Sequence, residues 1–335
     1  MGPLVAGVEL AAGAVRVASG HRVGGRLRIT TVGSRTLPTG AVVGGLVVDR
    51  PVVEAAVAGL LAQAEAGGRV TRVVLALDGD DVRTFRLTTR VERPTATSPV
   101  TATEVARVED RARADLAEQA RTVAVADLAL RGIATVQARE DRSGYLLDGR
   151  PLASLVGFQG RLMDVRSDHT ILPLVMSGAA LAVLGGRRAS LACGTHALGR
   201  SLIGSVVGDT AAVRVGADLT SVAVLRSGDV ASTRSFSLGC NELETRQMEG
   251  DAPVWAAAVL EACGDGETPV RWFLVGVADE LAQALVEAAS ERCGSAVEVA
   301  PLGPEMLTRV IAEPTLEMAD LVAVSAAALA AELYR

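Results

Sequence analysis

Lysine is missing from this chain: all 33 basic residues among its 335 are arginine. A phosphate-binding loop of the Gly-x-x-x-x-Gly-Lys type is therefore excluded. Aromatic residues are nearly as scarce, with four Phe, two Trp and two Tyr scattered along the sequence. Base-stacking surfaces need aromatics interleaved with cations, and the net charge of −6 offers phosphates no attraction, so no nucleic-acid partner is expected. The four cysteines, Cys193, Cys240, Cys263 and Cys293, contain no Cys-x-x-Cys pair. That spacing argues against structural zinc or a disulfide framework and suits reduced thiols. The opening MGPLVAGVEL lacks the basic and apolar regions of an export signal. The one long uncharged stretch, 170–186, is broken by Pro173, Ser177 and three glycines, and it reads as a core strand plus helix rather than a membrane span.

What the chain has is apolar substance. Residues of that kind make up 49% of it, enough for a sizeable core spread over two domains, or over one large α/β unit with an insert. It opens with three strand-like runs, 4–10, 14–18 and 26–37, joined by small-residue turns. A helix follows over 52–66, with Val53, Val57, Leu60, Leu61 and Ala64 on one face, Asp49 and Pro51 at its head and Gly67-Gly68 at its end. VTRVVLALDG (70–79) is too continuously apolar for a half-exposed strand and reads as a buried one. A Thr/Pro linker, 91–104, then gives way to a charged helix over 104–120 opened by the capping box Thr101-x-x-Glu104. The strand-like 160–172 closes a separate small α+β module, 86–170. From about Gly208 the opening plan returns. Strands at 211–215, 220–226 and 230–238 are joined by Gly-Ala-Asp and Ser-Gly-Asp turns, and helix, strand, helix, strand and final helix follow at 254–263, 272–276, 279–292, 295–300 and 320–333. Two α/β halves, each opened by a three-stranded meander, make an internal duplication.

This duplicated plan resembles the actin/Hsp70/sugar-kinase superfamily, and local phrases are similar to its FtsA/PilM branch. VAGVELAAGAVRVA looks like the first phosphate hairpin, and TAAVRVGADLTSVAVLRSGDVASTRSFSLG like the second. VTATEVARVEDRA with YLLDGRPLASLVGFQGRLMDVRSDHTI resembles the FtsA insert domain, and WFLVGVADELAQALVEAA the adenosine-site strand, turn and helix. The resemblance implies an actin-like (ribonuclease H-like) α/β fold of two lobes. The first lobe would comprise 1–85 and 171–205, the insert 86–170, and the second lobe 206–335. Only about 30 residues, from Gly239 to Trp272, stand where relatives carry a nucleotide-covering subdomain.

The resemblance also implies ATP with Mg²⁺ in the cleft between the lobes, held by Glu9, Leu10, Ala11, Ala12, Gly216, Ala217, Asp218, Thr220 and Gly276. Glycines are needed there because only they let backbone N–H groups approach phosphate oxygens closely, and carboxylates are needed for the metal. The sequence departs from that equipment. Ala11 replaces a glycine, Arg214 stands at the second hairpin's leading aspartate, Ser221 at its later one, and Val277 at the second adenosine-site glycine. Arg214 pairing with a phosphate in place of Mg²⁺ would allow binding without turnover; no catalytic residue and no metal ligand is assigned.

The expected role is a scaffold at the inner face of the membrane, cytoplasmic and attached only indirectly, since ADLVAVSAAALAAELYR carries no basic amphipathic tail. By resemblance its partners are the division tubulin FtsZ and membrane division proteins, or the cytoplasmic tail of a pilus-assembly protein, with homodimer or filament contacts. The competing class is an active, polymerising ATPase or a sugar-kinase relative. Several acidic and histidine-bearing phrases read more plainly. Asp78-Gly79-Asp80-Asp81 and Asp265-Gly266-Glu267 look like solvated turns, His21 and His169 like exposed or core-edge residues, and the paired glycines 24–25, 44–45 and 185–186 like turns. His196 near Ser201 and Cys193 lacks the nucleophile elbow of a hydrolase.

Overall fold

The computed structural model describes residues 2–127, 130–245, 250–264 and 266–332. The chain divides into two compact units, one built from 1–82 with 174–335 and the other from 83–173.

The first unit opens with β1 (Leu4–Ala11), β2 (Ala14–Val23) and β3 (Arg26–Thr36), an antiparallel meander. A two-residue-per-strand hairpin, β4 (Val42–Val43) and β5 (Leu46–Val47), leads into α1 (Arg50–Ala64). Asp49 starts that helix by accepting the Val52 amide at 3.3 Å, Pro51 fits its first turn, and Val53, Val57, Leu60, Leu61 and Ala64 are buried. β6 (Val70–Leu77) then runs parallel to β1.

The second unit is one antiparallel sheet covered on one face by a helix. β7 (Arg83–Glu92), α2 (Ala102–Ala126), β8 (Thr135–Leu147), β9 (Arg150–Leu152) and β10 (Leu162–Pro173) give the strand order β7-β10-β8-β9. Val108, Ala112, Leu116, Ala120 and Ala124, four residues apart, put one stripe of α2 onto Leu87, Tyr145, Leu147, Met163, Val165 and Ile171. Thr101 caps α2 through the Glu104 amide at 3.1 Å. Glu104 completes no box with it: both its carboxylate oxygens take Arg93 instead, at 2.7 and 3.0 Å.

The chain re-enters the first unit through α3 (Leu174–Ala182), β11 (Ala189–Cys193) and α4 (Gly194–Leu202). β12 (Thr210–Val215), β13 (Thr220–Arg226) and β14 (Asp229–Phe236) form a second antiparallel meander. After α5 (Cys240–Thr245) and α6 (Ala252–Ala262) come β15 (Arg271–Val275), α7 (Asp279–Cys293) and β16 (Glu298–Pro301). The duplication is plain in the sheets: β3-β2-β1-β6-β11 and β14-β13-β12-β15-β16 share one order, each an antiparallel meander extended by two parallel strands.

The end of the chain departs from the expected boundary of the second half. β17 (Val310–Ala312) pairs with β3, and α8 (Leu321–Glu332) packs on β1, β2 and β6 of the first sheet. Eleven of the twelve residues of α8 are buried, so its apolar surface is satisfied from all sides and its sequence carries no face to assign. Gly7 admits it: a Cβ there would lie 2.1 Å from the Ala323 carbonyl oxygen and 2.2 Å from the Ala327 nitrogen. α4, buried at every position, packs between α8 and strands β13 and β14. One core therefore runs from Val5 and Ala18 through Ala197 and Leu198 to Ala223, Leu225 and Phe273, joining the two sheets. Among the described residues no helix is long and apolar enough to cross a membrane; 170–186 forms the end of β10, all of α3 and the turn after it. All four cysteines are free, Cys193 and Cys263 buried.

Candidate functional site

The duplicated sheets bring equivalent strand ends together. β1 delivers Glu9 and Leu10 to its hairpin turn, which Gly13 closes with φ +81°. β12 delivers Arg214 to the turn Gly216–Leu219, and β6 delivers Asp78. Together with Gly45 these segments line a cavity of only ≈20 Å³, bounded by Leu10, Ala11, Ala12, Asp78, Arg214 and the 216–219 turn.

Ion pairs fill the space. Glu9, 1% exposed, lies opposite Arg16 across the β1–β2 ladder and accepts from its guanidinium at 3.5 Å. Its other carboxylate oxygen accepts from Arg214, whose second terminal nitrogen lies 3.8 Å from Asp78. Asp78 is not the solvated turn residue its sequence context suggests. It is buried at the start of α4, where one oxygen accepts the Thr195 amide and hydroxyl, both at 2.9 Å, and the Cys193 thiol at 3.4 Å. A helix N-terminus favours an anion, and Gly194 makes the approach possible, since a Cβ there would sit 2.7 Å from the Asp78 carboxylate. Burial in this setting, with the Asp78 charge adjacent, pushes the Cys193 thiol far above its usual range, so it is no nucleophile. Asp218 accepts the Gly44 amide at 2.6 Å; burial raises its carboxyl, and that hydrogen bond opposes the rise. Ser237 donates to Asp80 at 2.5 Å.

These residues do not fit a nucleotide with its metal. The cavity at the two hairpin turns, ≈20 Å³, has room for about one water and not for a phosphate chain. The charged lining, Asp78, Asp218 and Arg214, sums to −1 and repels a triphosphate. The Gly216 amide, which would have to cradle a phosphate, donates to Leu219 at 2.8 Å. The carbonyls of Gly216 and Ala217 accept from Cys240 and Asn241, both at 2.9 Å, tying the turn to α5. Arg214 points at carboxylates rather than into space for a phosphate, contrary to the role expected of it. Among the described residues no group of three or more His, Cys, Asp or Glu is arranged to hold a metal.

The structure thus brings together Glu9, Leu10, Ala11, Ala12, Gly216, Ala217 and Asp218. It does not bring Thr220 to them. That residue sits one pleat on from Ser221 and faces the opposite core, donating to the Leu238 carbonyl at 2.6 Å and accepting the Trp255 indole at 2.9 Å. Gly276 ends β15 with φ +66° against the Val215 carbonyl and does not line the cavity. Asp78 and Arg16 join the site without having been expected there; an aspartate closing a buried strand and an arginine opposite Glu9 in a hairpin are the signals that mark them. His169 is buried, not at a core edge. Asp265 lies outside the described residues.

No family model matches the sequence, and no curated protein sequence matches it. Solved structures do. The "PilM-PilN type IV pilus biogenesis complex" superposes with a TM-score of 0.60 at 17% identity over 98% of each chain. The ethanolamine utilization protein EutJ of Carboxydothermus hydrogenoformans gives 0.46 at 15% identity over 97% of this chain and 90% of that one. A Bacteroides thetaiotaomicron protein described as having an actin-like ATPase fold gives 0.44 at 9% identity over 89% and 90%. With the duplicated sheets, the first of these shows that the chain has the actin-like two-lobed fold.

Proposed function

We propose that this chain is an actin-fold scaffold of the FtsA/PilM type, which docks components of a membrane-associated assembly machine and does not hydrolyse ATP. The observation that carries the proposal is the cleft itself: Arg214 is shared between the Glu9 and Asp78 carboxylates where a nucleotide and metal would have to sit, and the cavity left beside them is ≈20 Å³. A buried ion pair broken on one side costs about 3–5 kcal/mol, so a ligand would have to offset that before gaining anything. The polymerising-ATPase alternative has no comparable observation in its favour.

The partner class follows the structural likeness. The PilM–PilN structure, by its name, is a complex of pilus biogenesis, and a pilus-type machine with a membrane-protein tail as ligand is the version the likeness supports. A division machine with FtsZ as partner rests on the resemblance of the insert sequence alone. Two assays on the full chain test the proposal together. ATP turnover should stay at the buffer background, and capture of a membrane protein's cytoplasmic tail, mapped by cross-linking, should be indifferent to MgATP. Turnover, or capture that requires MgATP, would refute it.

A further inference from the structure

We infer that Arg214 is a built-in cation that holds the two sheets of the first unit closed without any ligand. The inference rests on the preceding reading of the cleft and goes beyond it, because absence of nucleotide alone would leave the cleft open or closed with equal reason.

Arg214 leaves the end of β12 in one sheet and reaches Glu9 on β1 and Asp78 after β6 in the other. Glu9 is enclosed, with Arg16 at 3.5 Å as its other cationic partner. Asp78 spends one oxygen on Thr195 and Cys193, and its second oxygen is the one near Arg214. A planar guanidinium with several donors can face two carboxylates at once; a point-charge ammonium cannot do so with the same geometry. Three further ties cross the same line: Gly44 N–H to Asp218 at 2.6 Å, Ser237 to Asp80 at 2.5 Å, and Cys193 towards Thr233 at 4.0 Å. At the closed end α4 leaves little room for a hinge, for a Cβ on Gly199 would lie 3.0 Å from Val230 and 3.3 Å from Ala223. The residue standing where a leading aspartate was expected therefore does the opposite chemistry, supplying positive charge to carboxylates instead of negative charge to a metal.

Hydrogen exchange of the full chain, read at Gly44, Thr195 and the 216–219 turn, tests this. In the parent chain these amides should be protected, and millimolar MgATP should leave them unchanged. Arg214→Ala strands the Glu9 and Asp78 charges and should speed exchange there by about a hundredfold, while amides of 83–173 keep their rates. Guanidinium chloride at low millimolar concentration should restore part of the protection, and the same concentration of sodium chloride should not. Arg214→Lys should fall between the two.

Should Arg214→Ala fail to fold, the neutral pair Glu9→Gln with Arg214→Gln carries the test. It leaves one carboxylate, Asp78, without Arg214 instead of two, so it should fold, exchange faster than the parent at the same amides and respond to guanidinium less than Arg214→Ala does. Parent-like protection in Arg214→Ala or in the neutral pair would overturn the inference while leaving the absence of nucleotide binding intact. MgATP-dependent protection in the parent chain would instead overturn the reading of the cleft on which the inference rests.

Discussion

Gly7→Ala should be among the most damaging single-methyl changes available to this protein. A strand interior ordinarily prefers alanine to glycine, so on intrinsic grounds the substitution would stabilise slightly. The structure reverses that sign. The new Cβ would meet the Ala323 carbonyl oxygen at 2.1 Å and the Ala327 nitrogen at 2.2 Å, both backbone atoms of α8, where ordinary contact begins at 3.4 Å. The helix would have to retreat by the difference, 3.4 − 2.1 = 1.3 Å, and loosen its packing on β1, β2 and β6. Such a forced shift in a filled core costs about 3 kcal/mol. Both tryptophans, Trp255 and Trp272, are buried in the first unit, so tryptophan fluorescence in urea reports that unit without the second. With a slope of about 3 kcal/mol/M the midpoint should fall by about 1 M. Gly178→Ala is the control: it lies within α3 with nothing inside 4 Å of its Cβ position, and it should gain about 0.5–1 kcal/mol. A loss below about 1 kcal/mol for Gly7→Ala would mean that α8 does not lie against the first sheet as described.

Arg93→Lys should destabilise the 83–173 unit by about 2–4 kcal/mol, because one ammonium cannot replace a guanidinium that pairs bidentately with Glu104 and also serves the Gly160 and Ser98 carbonyls; exchange at 94–101 and 158–161 should accelerate, and unchanged rates would contradict it. His169 is buried against Ser167, and burial lowers its pKa below 6.5 against the opposing pull of Glu140, Asp168 and Asp141. The unfolded chain then binds the extra proton first, so stability of that unit should drop as pH falls below 6.5, and His169→Gln should remove that part of the slope; an identical slope in the variant would refute it. Tyr145 donates to Glu109, and burial first, then that bond, pushes its phenol up to about 12. An ultraviolet titration should show a tyrosine ionising near that value, returning towards 10 in Glu109→Ala.

Much of the architecture was legible because it rests on local rules. Asp49, Pro51 and the Val53–Ala64 stripe fix α1, the turn glycines fix both meanders, and repetition of the meander predicts the duplicated sheets. The placement of α8 was not legible, since a helix buried on all sides has no amphipathic face, and its only advertisement was a glycine inside an apolar strand. The site was half legible for the same reason. Glu9 and the two turns follow from the hairpins, whereas the burial of Asp78 depends on α4 arriving more than a hundred residues later in the chain. Thr220, expected at the cleft, lies one pleat away from it: alternation sends Ser221 to the cleft and Thr220 to Trp255.

Calorimetric titration of the full chain with MgATP addresses the central claim most directly. A guanidinium already seated between Glu9 and Asp78 predicts no saturable heat up to millimolar nucleotide. Saturable one-to-one binding in the micromolar range would contradict it.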